Sequence, residues 1–328
     1  MHISSLLLQR RALMLGAAAW AVLPTGARAQ ADWPERPIRL VLPFSAGGPG
    51  DTNVRAMAQA MSRLLGQPIV VDNRPGAGGI IGSDMVAKSA PDGYTLLSAG
   101  NGAIANPLLR VKMPYADSDL VPVVATSTAP SVIVTSATSA VKSLKDLQAY
   151  GKSKGAITFG TAGPGSTGHF VAEMVQEALG VPVTVVHYKS GSQTTTALIG
   201  GEVDIASEAP IGVAGYVRGG KLRALALTAR ERSGPLQDVE TTVEQGFPAI
   251  QMQHWGGIYA PKGTPPAILD RIAGAAQRAY ASDPDLIAVM ERGGAQPMRG
   301  ARPDFERFVR SEKERLAKLV ADSGMKLE

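Results

Sequence analysis

Two glycine-rich turns, each joining a short apolar run to a stretch with helical apolar spacing, constrain the fold of this chain more than any other feature. The first reads Leu40-Val41-Leu42-Pro43-Phe44-Ser45-Ala46-Gly47-Gly48-Pro49-Gly50-Asp51, and the second Ile157-Thr158-Phe159-Gly160-Thr161-Ala162-Gly163-Pro164-Gly165-Ser166-Thr167-Gly168. A strand that turns on glycine into a helix leaves the first-turn N–H groups and the positive helix end facing the turn, where an anion is stabilised. Two such cradles on one chain point to capture of an acid.

The rest of the chain extends both units. Asp51 can cap a helix, and Val54, Met57, Ala58, Met61, Leu64 and Leu65 lie on one face of it before Gly66 stops it. Strand Ile69–Val71, loop Asn73–Gly79, a short helix near Asp84–Ser89, the turn Pro91-Asp92-Gly93 and strand Tyr94–Ala99 follow. The same alternation covers Ile157–Thr228. There a helix over Ser166–Leu179 presents Phe170, Val171, Met174, Val175, Ala178 and Leu179, with strands at Val183–Val186, Val203–Ala206 and Leu222–Thr228. Strands separated by helices predict an α/β fold with mainly parallel sheets, which bind ligands at the carboxyl ends of their strands. From Thr264 onward the pattern is helical: Pro266 to about Ala281, Asp283–Arg292 and Asp304–Ser323. On the last helix Glu306–Arg310 and Glu314–Lys318 are spaced i, i+4, which predicts a solvated face. Segments Ala125–Pro130 and Arg230–Pro248, rich in small, polar and proline residues, are the candidate crossings between two domains.

Arg10 and Arg11, the apolar run Ala12–Leu23 and the small-residue site Ala27-Arg28-Ala29 read as a secretory signal cleaved after Ala29. The adjacent arginines also leave twin-arginine export open, although the flanking residues favour ordinary secretion. Three of the 33 Lys and Arg lie in that leader, leaving 30 against 28 Asp and Glu, a net of +2. So balanced a chain, without a basic run, offers no footprint for nucleic acid. With no cysteine, disulfides, thiolate metal sites and cysteine nucleophiles are excluded. The mature chain of about 300 residues, in a sequence 45% hydrophobic, is long enough for two domains with substantial cores.

Several ordered segments resemble one family. Trp33–Gly48 with Asp51 and Arg55 looks like the start of the mature solute receptors of the tripartite tricarboxylate transporter family, the Bug-type periplasmic receptors. Asp72–Gly82, Val86-Ala87-Lys88 with Pro91–Leu97, Gly163–Ser166 with His169, Tyr188-Lys189 with Gly191, and Gly256–Pro265 match in the same order. The resemblance covers essentially the whole mature chain. It implies a two-domain periplasmic binding protein of type II, a Venus flytrap, each domain a mainly parallel sheet flanked by helices. Residues 30–128 and 249–328 would form domain 1, and residues 129–248 domain 2.

In that family the acid lies in the cleft with its carboxylate held by main-chain amides of the two glycine loops. Carried over, the ligand-binding residues are Phe44, Ser45, Ala46 and Gly47 in the first loop and Thr161, Ala162, Gly163, Gly165 and Ser166 in the second. Glycine and alanine let an oxygen approach the backbone, and a hydroxyl can donate to it. Where many relatives have Phe-Asp-Asn, this chain has Ser207-Glu208-Ala209 after Ala206. Glu208 would then face the ligand and favour an ammonium or hydroxyl over a second carboxylate, or be an ordinary solvated or capping glutamate. Trp255 would stack on an apolar ligand body, or serve as a core or cleft-lip aromatic. The resemblance implies a receptor delivering a small organic acid to membrane permease subunits. It implies a monomer, with no cofactor or metal and no enzymatic activity.

An exported hydrolase or oxidoreductase is the rival class. Gly163-x-Gly165-x-x-Gly168 has the form of a dinucleotide fingerprint, but about 20 positions on the chain reads His187-Tyr188-Lys189 where an acidic residue is required. Pro164-Gly165-Ser166-Thr167-Gly168 fails the serine-hydrolase elbow at its first position. Ser139-Ala140-Val141-Lys142 has the Ser-x-x-Lys form without its companion motifs. Beyond His2 in the leader, the histidines are His169, His187 and His254, and His169 reads as a polar residue near the cleft. A sensory co-receptor signalling to a membrane kinase would have the same pocket.

Overall fold

The computed structural model describes residues 33–47 and 49–325, so the leader and its cleavage point lie outside the described residues. The chain begins with β1 (Ile38–Leu42), the first glycine loop and α1 (Pro49–Leu65), followed by β2 (Ile69–Asn73), α2 (Ile80–Ala87), β3 (Thr95–Gly100), α3 (Asn101–Leu109) and β4 (Leu120–Pro130). One residue later it enters a second sheet as β5 (Val132–Ser136). There it builds α4 (Leu144–Lys154), β6 (Ile157–Thr161), α5 (Thr167–Leu179), β7 (Val183–His187), α6 (Gly191–Gly200), β8 (Ile205–Glu208), α7 (Pro210–Arg218) and β9 (Leu222–Leu227). It returns as β10 (Gln253–Pro261) and ends in α8 (Pro266–Ser282), α9 (Pro284–Arg292) and α10 (Arg302–Ser323).

The two sheets share one plan. The first is ordered β2-β1-β3-β10-β4 and the second β7-β6-β8-β5-β9. In the first, β1 lies parallel to β2 and β3, while β10 runs antiparallel between β3 and β4. In the second, β6 lies parallel to β7 and β8, while β5 runs antiparallel between β8 and β9. Each sheet is thus a parallel core with one antiparallel strand, and that strand is the one arriving from the other sheet.

Both predicted amphipathic helices bury the expected faces. Met57, Ala58, Met61 and Leu65 of α1 are buried, whereas Leu64 lies at the solvated margin, 37% exposed. In α5, Phe170, Val171, Met174, Val175 and Leu179 are buried, each large side chain contributing about 1.5–3 kcal/mol by leaving water. Ser166 caps this helix by accepting from the His169 N–H, and Gly180, at φ 60°, ends it in the left-handed conformation. Alternation along the second sheet separates two apolar layers. Ile133, Phe159 and Ile205 join Phe170 and Val171 of α5 on one face. Val132, Val134 and Ala206 join Leu198 of α6 and Val213 of α7 on the other.

The structure differs from the sequence reading in three places. Ala125–Pro130 forms part of β4, because its backbone pairs with β10 from Ala125↔Gly257 to Pro130↔Gln253 regardless of its small side chains. The short helix starts at Ile80, four residues earlier than expected, where Gly79 at φ 96° turns the chain into it. On α10, Glu306 pairs back to Arg302 at 2.9 Å, with Arg302 also held by Asp270, and Lys318 pairs forward to Asp322.

The two links between the sheets are tied together. Ser131 and Thr228 are both fully buried. The Thr228 hydroxyl donates to the Met252 carbonyl at 2.5 Å and accepts from the Ser131 N–H at 3.1 Å. The Thr228 N–H donates to the Ser131 carbonyl at 2.9 Å, and the Met252 N–H to the Thr228 carbonyl at 3.2 Å. Among the described residues no helix is long and apolar enough to cross a membrane.

Candidate functional site

The first glycine loop leaves the carboxyl end of β1 with Phe44, Ser45, Ala46 and Gly47 exposed. Its shape is set from below by Asp51, which is 5% exposed. One Asp51 carboxylate oxygen accepts the Gly47 N–H at 3.0 Å and Arg55 Nε at 2.9 Å. The other accepts Asn73 Nδ2 at 3.0 Å, and the same amide donates to the Phe44 carbonyl at 3.0 Å. Arg55 Nη2 closes the ring on Asn73 Oδ1 at 2.7 Å. The Arg55 guanidinium, helped by Asn73 and the Gly47 N–H, outweighs burial and pulls the Asp51 carboxyl down to about 2. The Gly47 N–H, expected to reach a ligand, is therefore engaged by the chain's own carboxylate, leaving Phe44–Ala46 as the crest of the loop.

The second loop leaves the carboxyl end of β6 in a corresponding position. Thr161 is fully buried, its hydroxyl 2.7 Å from His187 Nδ1, so its side chain supports the loop from within. Ala162, Gly163 and Ser166 are half-buried and Gly165 is buried. Gly163 (φ 113°) and Gly165 (φ 72°) need the conformational freedom of glycine to make this turn. The Gly165 N–H donates to His169 Nδ1 at 3.1 Å, and the Gly163 N–H to the Thr161 hydroxyl at 3.3 Å. Because Nδ1 accepts, neutral His169 carries its proton on Nε2, which faces Glu173 Oε1 at 3.8 Å. The His169 and His187 rings meet edge to face at 4.7 Å. Burial, with the neighbouring His187 adding to it, lowers His169 to about 4. His169 is thus a neutral strut beneath the loop.

Strand β8 lies parallel to β6 in the register Gly160↔Ala206, so Ser207 and Glu208 end β8 on the same edge of the sheet from which the second loop leaves. Ser207, 2% exposed, places its hydroxyl 2.7 Å from that of Ser131, which is 3.2 Å from His254 Nε2. The Ser207 carbonyl sits so close to Gly168 that a methyl group there would come within 2.9 Å of it. Glu208 points to the α6 side of the sheet, where a methyl group on Gly191 would lie 2.5 Å from its Oε2. Its Oε1 is buried without a hydrogen-bond partner, and burial raises the carboxyl to about 7. The glutamate is half-buried and does not cap α6, which is capped by Ser190 through the Gln193 N–H.

Trp255, 6% exposed, lies in an aromatic cluster with Phe305 at 5.9 Å and Phe308 at 5.3 Å, both edge to face. Sequence reasoning missed Asn101, the first residue of α3 and 7% exposed. Its Nδ2 donates to Thr167 Oγ1 at the start of α5, at 3.0 Å, and to the Gln253 carbonyl at 2.9 Å. One amide thereby links the start of β10 in the first sheet to the start of α5 beside the second loop, and its own Oδ1 is buried and unpaired. The available signal was Gly100-Asn101-Gly102 at the end of a third strand of the first sheet. Among the described residues no group of three or more His, Asp or Glu side chains could hold a metal.

Two sheets of this order, each with its antiparallel strand donated by the other half and a glycine loop at its carboxyl edge, define a two-domain periplasmic binding protein of type II. The model of the tripartite tricarboxylate transporter family receptor matches residues 53–325, and the chain belongs to that family. It is similar to the protein BugT of Bordetella pertussis, 37% identical over 301 residues, covering 90% of this chain and 92% of that one. The solved periplasmic binding protein BugD superposes with a TM-score of 0.79 at 30% identity, over 90% of this chain and 100% of that chain. An R. palustris protein solved with adipate gives 0.82 at 31% identity, over 90% and 99%.

Proposed function

We propose that this receptor captures a small organic acid in the cleft between its two domains and delivers it to the permease subunits of a tripartite tricarboxylate-type transporter. The observation that carries this reading is the pair of glycine loops at the carboxyl ends of β1 and β6, each opening onto a helix N-terminus. The relative solved with adipate supports a carboxylate ligand. The acid is held by the crest Phe44–Ala46 from one side and by Ala162, Gly163, Gly165 and Ser166 from the other, with Gly47 and Thr161 holding the two loops in shape, Ser207 and Glu208 at the far end and Trp255 behind. Domain 1 comprises residues 30–128 and 249–328 and domain 2 residues 129–248, a division supported by the change of sheet at Ser131 and the return at Gln253.

Binding from both sides favours the closed form by population shift, and the closed surface is what the permease recognises. The protein acts as a periplasmic monomer after cleavage at Ala29, and it releases its ligand unaltered. The test is thermal unfolding of the chain from Gln30 onward against mono-, di- and tricarboxylates, aromatic acids and amino acids. A ligand at 100 times its dissociation constant adds about 2.7 kcal/mol, a shift of several degrees. One acid class should raise the midpoint and be recovered intact. A flat response to every acid, or turnover of the acid, would overturn the reading.

A further inference from the structure

Glu208 stands at the carboxyl end of β8, the strand paired in parallel with β6, whose carboxyl end leads into the second glycine loop. The Ser207 carbonyl before it packs under Gly168, so Glu208 also adjoins the N-terminus of α5. Its side chain crosses to the other face of the sheet, over Gly191, where only a residue without a side chain leaves room for the carboxylate. Oε1 is buried and accepts no hydrogen bond. Among the described residues, no Lys or Arg forms an ion pair with it. A buried carboxylate oxygen without a donor is rare in a native protein because it loses its water and gains nothing in return. Its neighbours do not satisfy it. Val132 is its partner across the strand pair, Gly191 contributes bare backbone, and the Ser190 hydroxyl is used on the Gln193 N–H.

We propose that Glu208 is a specificity-determining residue that makes the pocket select acids carrying a second, hydrogen-bond-donating group, a hydroxyl or an ammonium, over dicarboxylates. This rests on the reading of the pocket given above. The glycine loops take the ligand carboxylate, and Glu208 accepts a donor from the other end of the ligand. A hydroxy acid or amino acid of the right length supplies the missing hydrogen bond. A dicarboxylate supplies no donor and sets a second negative charge against a buried one, a like-charge approach that costs affinity heavily.

The experiment measures dissociation constants by titration calorimetry at pH 8, above the value of about 7 to which burial raises Glu208. Acids of matched length are compared: succinate, 3-hydroxypropionate and β-alanine, then glutarate, 4-hydroxybutyrate and 4-aminobutyrate, and so on to six carbons. At the length that fits, the donor-bearing acid should bind the wild-type chain at least about tenfold more tightly than the dicarboxylate. Glu208→Gln keeps the shape but removes the charge, and should bring the two within about threefold. Glu208→Ala should lose the preference as well, and unfolding midpoints of both variants establish that they fold. Equal or tighter binding of the dicarboxylate by wild type, or an unchanged ratio in both variants, overturns the proposal alone. Binding of no acid at any length overturns the pocket reading itself, and the proposal with it.

Discussion

Asp51→Asn tests how the first glycine loop is held. The aspartate carboxyl is pulled from 3.8 to about 2, nearly two units, chiefly by Arg55. At about 1.4 kcal/mol per unit that is worth up to roughly 2.5 kcal/mol, and because the Arg55 side chain is 47% exposed, screening reduces the expected figure to about 1–2 kcal/mol. A group whose folded value is depressed contributes stability that is present above its unfolded value and lost as pH falls through its folded value. The contribution should therefore be complete above pH ~4 and gone near pH ~2. For a chain of this size, the variant should unfold about 2–6 °C lower at pH 7, with the gap narrowing steadily below pH ~4. Calorimetric or circular-dichroism melts at pH 7, 4 and 3 measure it. The Asn73 and Gly47 contacts loosen together, so affinity for the bound acid should fall in the same variant. Equal midpoints at pH 7, or a gap as large at pH 3 as at pH 7, would refute the account of the loop.

Burial lowers His169 to about 4 from an unfolded value of 6.5, so the stability tied to its neutral form is intact above pH ~6.5 and lost progressively toward pH ~4. His169→Gln should flatten the fall in urea midpoint across that window, and a slope equal to wild type would count against the strut. Gly257→Ala would place a methyl 2.1 Å from Phe305 Cζ in the aromatic cluster, with an expected cost of about 1–3 kcal/mol partly restored by Phe305→Leu. Additive losses in the double variant would show that the two sites do not collide. Ser166→Tyr should block the pocket and remove the α5 cap, costing about 1 kcal/mol while the chain still folds, and an unchanged acid affinity would refute the second loop as a binding element.

The periodic parts of the fold were legible because burial imposes its spacing directly. Met57, Ala58 and Met61 show it in α1, and Phe170, Val171 and Met174 in α5. Positions that depend on partners far along the chain were not legible. Ala125–Pro130 reads as a crossing between domains by composition, but that it is strand follows from β10, more than 120 residues away, which supplies its hydrogen bonds. In the site, the loops themselves are visible as glycine clusters, whereas their supports are not. Thr161 turns inward to His187 and Asn101 reaches Thr167. These pairings are products of topology, and residue type alone carries no trace of them. Asp51 was legible as a helix-start residue, but its grip on the Gly47 N–H follows from the backward turn of the loop.

The knot of Ser131, Thr228 and Met252 limits how the two halves can move against each other. A door hung on one pin can swivel and tilt, while a door hung on two pins can only swing. With both connecting segments joined through the Thr228 hydroxyl, twist or shear of one half against the other would have to break these hydrogen bonds, whereas bending would not. Ligands of different size would then stop the swing at different angles along one path.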